Sequence, residues 1–193
     1  MTGSSSSPIL EVCVETIQQG LLAENNNANR IEFCHRLDLG GVTPDHDLIR
    51  SAVNTIKIPV KIMIRPRGGD FIYSDSEVDK MKSDIRYCKS IGVEEVVLGA
   101  LNEDGEVDSR LTQRLAKLAF PMKVTFHKAI DAVNNFMSSL KTLSTMENID
   151  SVLTSGTKKN ALSGKEYIKL ASKEFSGLLN IIAAGSITNQ NLK

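Results

Sequence analysis

Leu10-Glu11-Val12-Cys13 returns 21 positions later as Ile31-Glu32-Phe33-Cys34. Each stretch reads as a β-strand in which a carboxylate and a thiol alternate with apolar residues, so side chains two apart share a face. The separation leaves room for one helical return between neighbouring parallel strands. Both acids and both thiols then converge at one end of a buried sheet, with Cys13 and Cys34 at matching places on adjacent strands. Burying such groups is costly unless they are partnered, which marks the repeat as a candidate site.

The chain beyond the repeat continues the same unit. Strand-like runs begin near Ile9, Arg30, Val60, Glu94, Lys123, Ser151 and Leu179. Val96-Val97-Leu98 and residues 178–184 are continuous apolar runs, the pattern of parallel strands covered on both faces. Thr43-Pro44-Asp45 predicts a helix start, with a cap and then proline at the first helical position. Leu48, Ile49, Ala52, Val53 and Ile56 follow at helical spacing. Further stripes are Val78, Met81, Ile85 and Cys88 behind residues 74–77, Leu111, Leu115 and Leu118 behind Asp108, and Phe136, Leu140 and Leu143. Ser163 with Glu166 predicts a capping box at the head of a sixth helix. Cys88 continues a stripe and reads as helix core.

Seven strands followed by six helices predict an α/β fold. Polar residues near the carboxyl ends of several strands (Glu11, Glu32, Arg65 and His127) favour a TIM-type (β/α)8 barrel over an open doubly wound sheet, which gathers such groups at one switch point. Such a barrel takes about 250 residues, and the chain has 193. The expectation is therefore a barrel truncated after its seventh strand. Residues 1–8 read as a flexible leader and 9–193 as a single barrel domain, incomplete at its C-terminus.

Composition narrows the partners. Lys plus Arg and Asp plus Glu both number 23, so no basic stripe invites nucleic acid or an anionic membrane. Tryptophan is absent and aromatics are 5%, which argues against a stacking platform for single strands. No apolar run approaches the ~20 residues of a membrane helix. The polar start lacks the charged and apolar regions of a signal peptide. Three cysteines without framework spacing suggest reduced thiols in a cytosolic setting.

Two chemistries compete for the strand-end groups. Paired thiolates at Cys13 and Cys34 suit low-coordinate Cu(I) and leave a zinc site two ligands short, although His127 or a glutamate could complete one. Alternatively, Glu11 and Glu32 supply acid/base chemistry with Arg65 and His127, on a small anionic or phosphorylated metabolite. In Arg65-Pro66-Arg67-Gly68-Gly69-Asp70-Phe71, Arg65 and Arg67 could clamp a carboxylate or phosphate, or Arg67 could pair with Asp70 or Asp75. Phe126-His127-Lys128-Ala129-Ile130-Asp131 brings Lys128 and Asp131 into the His127 loop. Ser155, Gly156, Gly185 and Ser186 lie in small glycine-containing loops after strands six and seven, where many barrels bind phosphate.

Taken jointly these segments resemble the CutC copper-homeostasis family. The matching pieces are residues 10–14, 30–34, 40–44, 64–71, 101–108, 126–131 and 153–156, and the 65–71 loop is the most specific of them. The resemblance implies a TIM-type barrel in a cytoplasmic protein, usually a homo-oligomer, that binds Cu(I) through Cys13 and Cys34. It also places the family's polar cluster on Glu11, Glu32, Arg65 and His127, with no settled reaction to carry over. This chain departs from the family at Asn26-Asn27-Ala28-Asn29, where Gly-Gly-Ala-Asp is usual, and at Thr157, where a glycine is usual.

Overall fold

The computed structural model describes residues 9–192, and the leader expected over 1–8 lies outside them. Seven strands pair in the order of the chain, all parallel. They are β1 (Glu11–Val14), β2 (Arg30–Phe33), β3 (Val60–Met63), β4 (Glu95–Leu98), β5 (Lys123–Phe126), β6 (Ile149–Thr154) and β7 (Asn180–Ala183). Between them run α1 (Ile17–Asn25), α2 (His46–Thr55), α3 (Asp75–Ser90), α4 (Ser109–Ala119), α5 (Phe136–Ser144) and α6 (Lys165–Glu174). Sequential order with a helix after each of the first six strands is the TIM-barrel arrangement rather than a doubly wound sheet. Among the described residues the outer edges of β1 and β7 pair with no further strand.

Strand alternation splits the molecule into two unlike interiors. Ile31, Phe33, Ile62, Val96, Leu98, Val124, Phe126 and Val152 face the helices and join the main hydrophobic core. They meet the buried stripes of α3 (Val78, Met81, Ile85, Cys88), α4 (Leu115, Ala116, Ala119) and α5 (Phe136, Leu140, Leu143). The opposite faces point into the barrel, where only Cys34, Met63 and Val97 form an apolar cluster. Glu11, Cys13, Glu32, Lys61, Arg65, Thr125 and His127 bring polar groups to that same interior or its mouth.

Helix starts follow local chemistry. Ser74 and Glu77 close a reciprocal capping box on α3, and Asp108 caps α4 through Leu111 N–H at 2.9 Å. Two expected starts differ. α2 begins at His46 behind Asp45, leaving Pro44 outside the helix. α6 begins at Lys165 behind Gly164, because Ser163 N–H turns back onto the Asn160 side chain at 2.9 Å. The run 178–184 also differs: Leu178 is exposed and β7 is only half-buried, since it lies at the sheet edge. Asn27 holds φ at 65°, a left-handed conformation that asparagine tolerates.

Candidate functional site

The lowest interior row is an ion-pair layer. Lys61, fully buried on β3, reaches Glu11 at 3.1 Å, Glu95 at 2.6 Å and Thr125 Oγ1 at 2.9 Å. The Thr125 hydroxyl donates to Glu95 at 2.6 Å, and Arg30 pairs with Glu11. Every charge here has an opposite partner, which a buried charge requires. Glu11 is the first residue of β1 and lies opposite Arg30. It thus sits at the amino end of its strand, not the carboxyl end expected from sequence. Lys61, Glu95 and Thr125 were not singled out beforehand. A lysine between the apolar residues of Val60-Lys61-Ile62 was the available signal.

The thiols occupy the next rows. Cys13 lies opposite Glu32 in the β1–β2 register, and Cys34 is two residues further along. The two cysteines are therefore diagonal neighbours rather than occupants of matching positions. Their sulfurs are 3.5 Å apart, and Cys13 Sγ donates to Glu32 Oε1 at 3.3 Å. Cys34 is fully buried, while Cys13 keeps solvent access along the open side of β1. Hydrogen bonding to Cys34, then burial and the nearby Glu32 charge, hold the Cys13 thiol far above the ordinary thiol range. Burial, then the Glu11 charge, push the Glu32 carboxyl up to about 7. Glu32 Oε2 has no hydrogen-bond partner.

At the carboxyl ends of β3 and β5, Arg65 and His127 flank one aromatic ring. The Arg65 guanidinium lies 4.8 Å from the Phe71 centroid, and the His127 imidazole lies 5.0 Å from it. Arg65 donates to the carbonyls of Leu39 (2.9 Å), Gly41 (3.0 Å) and Gly69 (2.8 Å), and its Nε has no partner. No carboxylate pairs with it among the described residues. His127 fits because β4 is followed by Gly99, whose Cβ would stand 2.6 Å from Nδ1. Burial first, and the Arg65 charge second, push the imidazole down to about 3. Ala129 N–H donates to His127 Nδ1 at 3.2 Å, so the proton of the neutral ring resides on Nε2. That nitrogen is buried and unpartnered.

The remaining candidates are held in two separate groups. Arg67 is occupied by Asp70 (2.8 Å), Glu77 (2.6 Å) and carbonyls of its own loop. Asp131 accepts from Thr154 Oγ1, from Ser155 N–H and Oγ, and from Thr157 N–H, all within 3.1 Å, and pairs with Lys128 at 3.0 Å. Burial pushes the Asp131 carboxyl up, but these bonds prevail and hold it below the usual carboxylate range. Lys128 also donates to Ser155 Oγ at 2.8 Å. Gly156 N–H turns back onto Thr154 Oγ1, Gly185 packs against Ser155 and Lys128, and Ser186 is exposed. A cavity of about 950 Å³ opens at the opposite, amino-terminal end of the strands, lined by Ile56, Pro59, Lys61, Val93, Glu95 and Met122 among others. Neither thiol, nor Arg65 or His127, lines it.

A parallel sheet in sequential order, helices on its outer face, and thiols with buried charges on its inner face define an α/β protein of the TIM-barrel class. The chain belongs to the CutC family, whose model matches residues 8–193. It is 41% identical over 191 residues to a human protein named copper homeostasis protein cutC homolog, covering 99% of this chain and 70% of that one. It is 37% identical over 182 residues to a CutC family protein of Histophilus somni, covering 94% and 74%. The solved structure of a Streptococcus agalactiae protein assigned to copper homeostasis as CutC superposes with a TM-score of 0.88 at 26% identity. That match covers 95% of this chain and 91% of the other.

Proposed function

We propose that this chain serves copper homeostasis by binding Cu(I) between Cys13 and Cys34. The contact of the two sulfurs at 3.5 Å carries the reading, with one thiol open to solvent and the other buried beside Met63 and Val97. Soft thiolates select Cu(I). Among the described residues no three His, Cys, Asp or Glu side chains are arranged to cage a metal, so the tetrahedral set zinc wants is missing. The names of the human and Streptococcus agalactiae relatives point the same way. Cys88 does not compete, since it lies alone in the buried stripe of α3 within the main hydrophobic core, with no second thiol beside it. Both site thiols must lose protons to the metal, so affinity rises with pH. An anaerobic Cu(I) titration against a competing chelator tests this on wild-type and Cys13→Ser/Cys34→Ser protein, both checked for folding. Tight binding at a defined stoichiometry is expected, lost in the double variant; equal binding by both proteins would refute it.

A second reading has its own observation, the Arg65 guanidinium buried without a carboxylate partner. Here the barrel mouth belongs to an enzyme acting on a small anionic or phosphorylated metabolite. Arg65 holds the anion, and Glu32 and His127 are the polar groups left free to meet the substrate. Glu11 is committed to Arg30 and Lys61, and Arg67 to Asp70 and Glu77. A thermal-shift screen of anionic metabolites tests it. Stabilisation should survive Cys13→Ser/Cys34→Ser and vanish in Arg65→Ala, and no stabilisation by any metabolite would dismiss it.

A further inference from the structure

We infer that the barrel mouth binds a small carboxylate bearing a second acceptor oxygen, an α-oxo or α-hydroxy acid, with the carboxylate on Arg65 and the second oxygen on His127 Nε2–H. This ligand class presupposes the second reading, an anion at the mouth, and is independent of copper.

Three features lead to it. The first is charge. Arg65 is 4% exposed, and its neighbours include three backbone carbonyls, the face of Phe71 and the Tyr73 hydroxyl. These are dipoles, not a counter-charge, and buried cations are ordinarily paired. A ligand carboxylate supplies the missing negative charge, and of the five guanidinium N–H donors the Nε–H and one Nη2–H are left over for it.

The second is the fixed tautomer of His127. With Nδ1 accepting from Ala129 N–H, the neutral ring presents Nε2–H as a donor that nothing else uses. A buried unsatisfied donor costs about 1–3 kcal/mol, and a ligand oxygen would relieve it. Arg65 and His127 lie 4.8 and 5.0 Å from the centroid of the same Phe71 ring, which gathers both unpartnered donors around one side chain. A neutral imidazole donor suits a carbonyl or hydroxyl oxygen, the way such a group polarises a carbonyl in other barrels.

The third concerns phosphate. The backbone cradle that late barrel loops often offer to phosphate is formed here by Ser155 N–H, Thr157 N–H, two hydroxyls and Lys128. The Asp131 carboxylate already fills it. One unpaired cation and one neutral donor remain at the mouth, which matches a monoanion better than a phosphate dianion.

The test uses metal-free protein under reducing conditions, with isotope-labelled histidine for NMR and three probes: pyruvate, acetate and inorganic phosphate. His127 should show the Nε2–H tautomer, and pyruvate should shift that nitrogen saturably. Acetate has the same charge but no second oxygen, so it should bind at least about ten-fold more weakly. In His127→Leu, read by titration calorimetry because the reporter ring is gone, pyruvate affinity should fall to the acetate level. A proton on Nδ1, or equal binding of pyruvate and acetate, would overturn the inference. Phosphate binding tighter than pyruvate would overturn the ligand class but keep an anion at the mouth. Binding of none of the probes would remove both. Should the leucine variant fail to fold, the wild-type tautomer and the pyruvate-to-acetate ratio decide.

Discussion

Cys13 lies opposite Glu32 in the sheet, yet its sulfur touches that of Cys34, one interior row higher. The diagonal arises because the sequence repeats at 21 positions whereas the register pairs residues 19 apart. Strands about 4.8 Å apart, rising about 3.3 Å per residue, put the two Cα atoms roughly 8 Å apart. That exceeds the approximately 7 Å limit for a disulfide without backbone movement. Metal-free protein treated with oxidised glutathione should therefore not form an internal Cys13–Cys34 bond, as read by intact mass after alkylation. A species two hydrogen atoms lighter than the reduced protein and resistant to alkylation would show that the strands slide enough to close it.

The ion-pair layer below the thiols depends on a single cation shared by two carboxylates. Lys61→Met leaves Glu11 with Arg30 alone and Glu95 with only the Thr125 hydroxyl. Removing one member of a buried network typically costs about 3–5 kcal/mol. The urea midpoint of Lys61→Met should fall accordingly, with the slope of the transition unchanged. A midpoint equal to wild type would mean that the layer is hydrated and contributes little.

How much of this was legible beforehand follows from what each signal depends on. The barrel was readable because strand and helix periodicities are local, and Val78, Met81, Ile85 and Cys88 do form one buried stripe. The polarity of the barrel interior was also present, in the alternation of Glu11 and Cys13 and again of Lys61, Met63 and Arg65. Which rows those residues occupy was not, because stagger between strands is a property of pairing and no single strand records it. The assignment of Glu11 to the mouth failed for that reason. The His127 tautomer was likewise invisible, since it hangs on the backbone N–H of Ala129.

Thr157 offers a local test. It stands at φ 60°, and a β-branched residue is strained there. The conformation persists because its N–H binds Asp131 at 3.0 Å. Thr157→Gly should relieve the strain and keep the bond, raising stability by about 1 kcal/mol after the added flexibility of the unfolded chain. Thermal denaturation would measure it, and a lower melting temperature would place the threonine side chain among the stabilising contacts of the loop.

Two buried groups should give opposing pH dependences. The Glu32 carboxyl is raised from 4.5 to about 7. Its contribution is complete below about pH 4.5 and declines as pH rises through 7, because the native state retains a proton that the unfolded chain releases. The His127 imidazole is lowered from 6.5 to about 3. Its contribution is present above about pH 6.5 and declines as pH falls toward 3, because the unfolded chain gains a proton that the native state refuses. Between about pH 4.5 and 6.5 the two slopes oppose each other, so wild-type stability should vary little in that window. Glu32→Gln removes one of them. Its stability should then climb with pH across the window and exceed wild type at pH 8 by as much as about 3 kcal/mol. Denaturant titrations at several pH values would show this. A Glu32→Gln profile parallel to that of wild type would mean that Glu32 is ionised in the native barrel throughout.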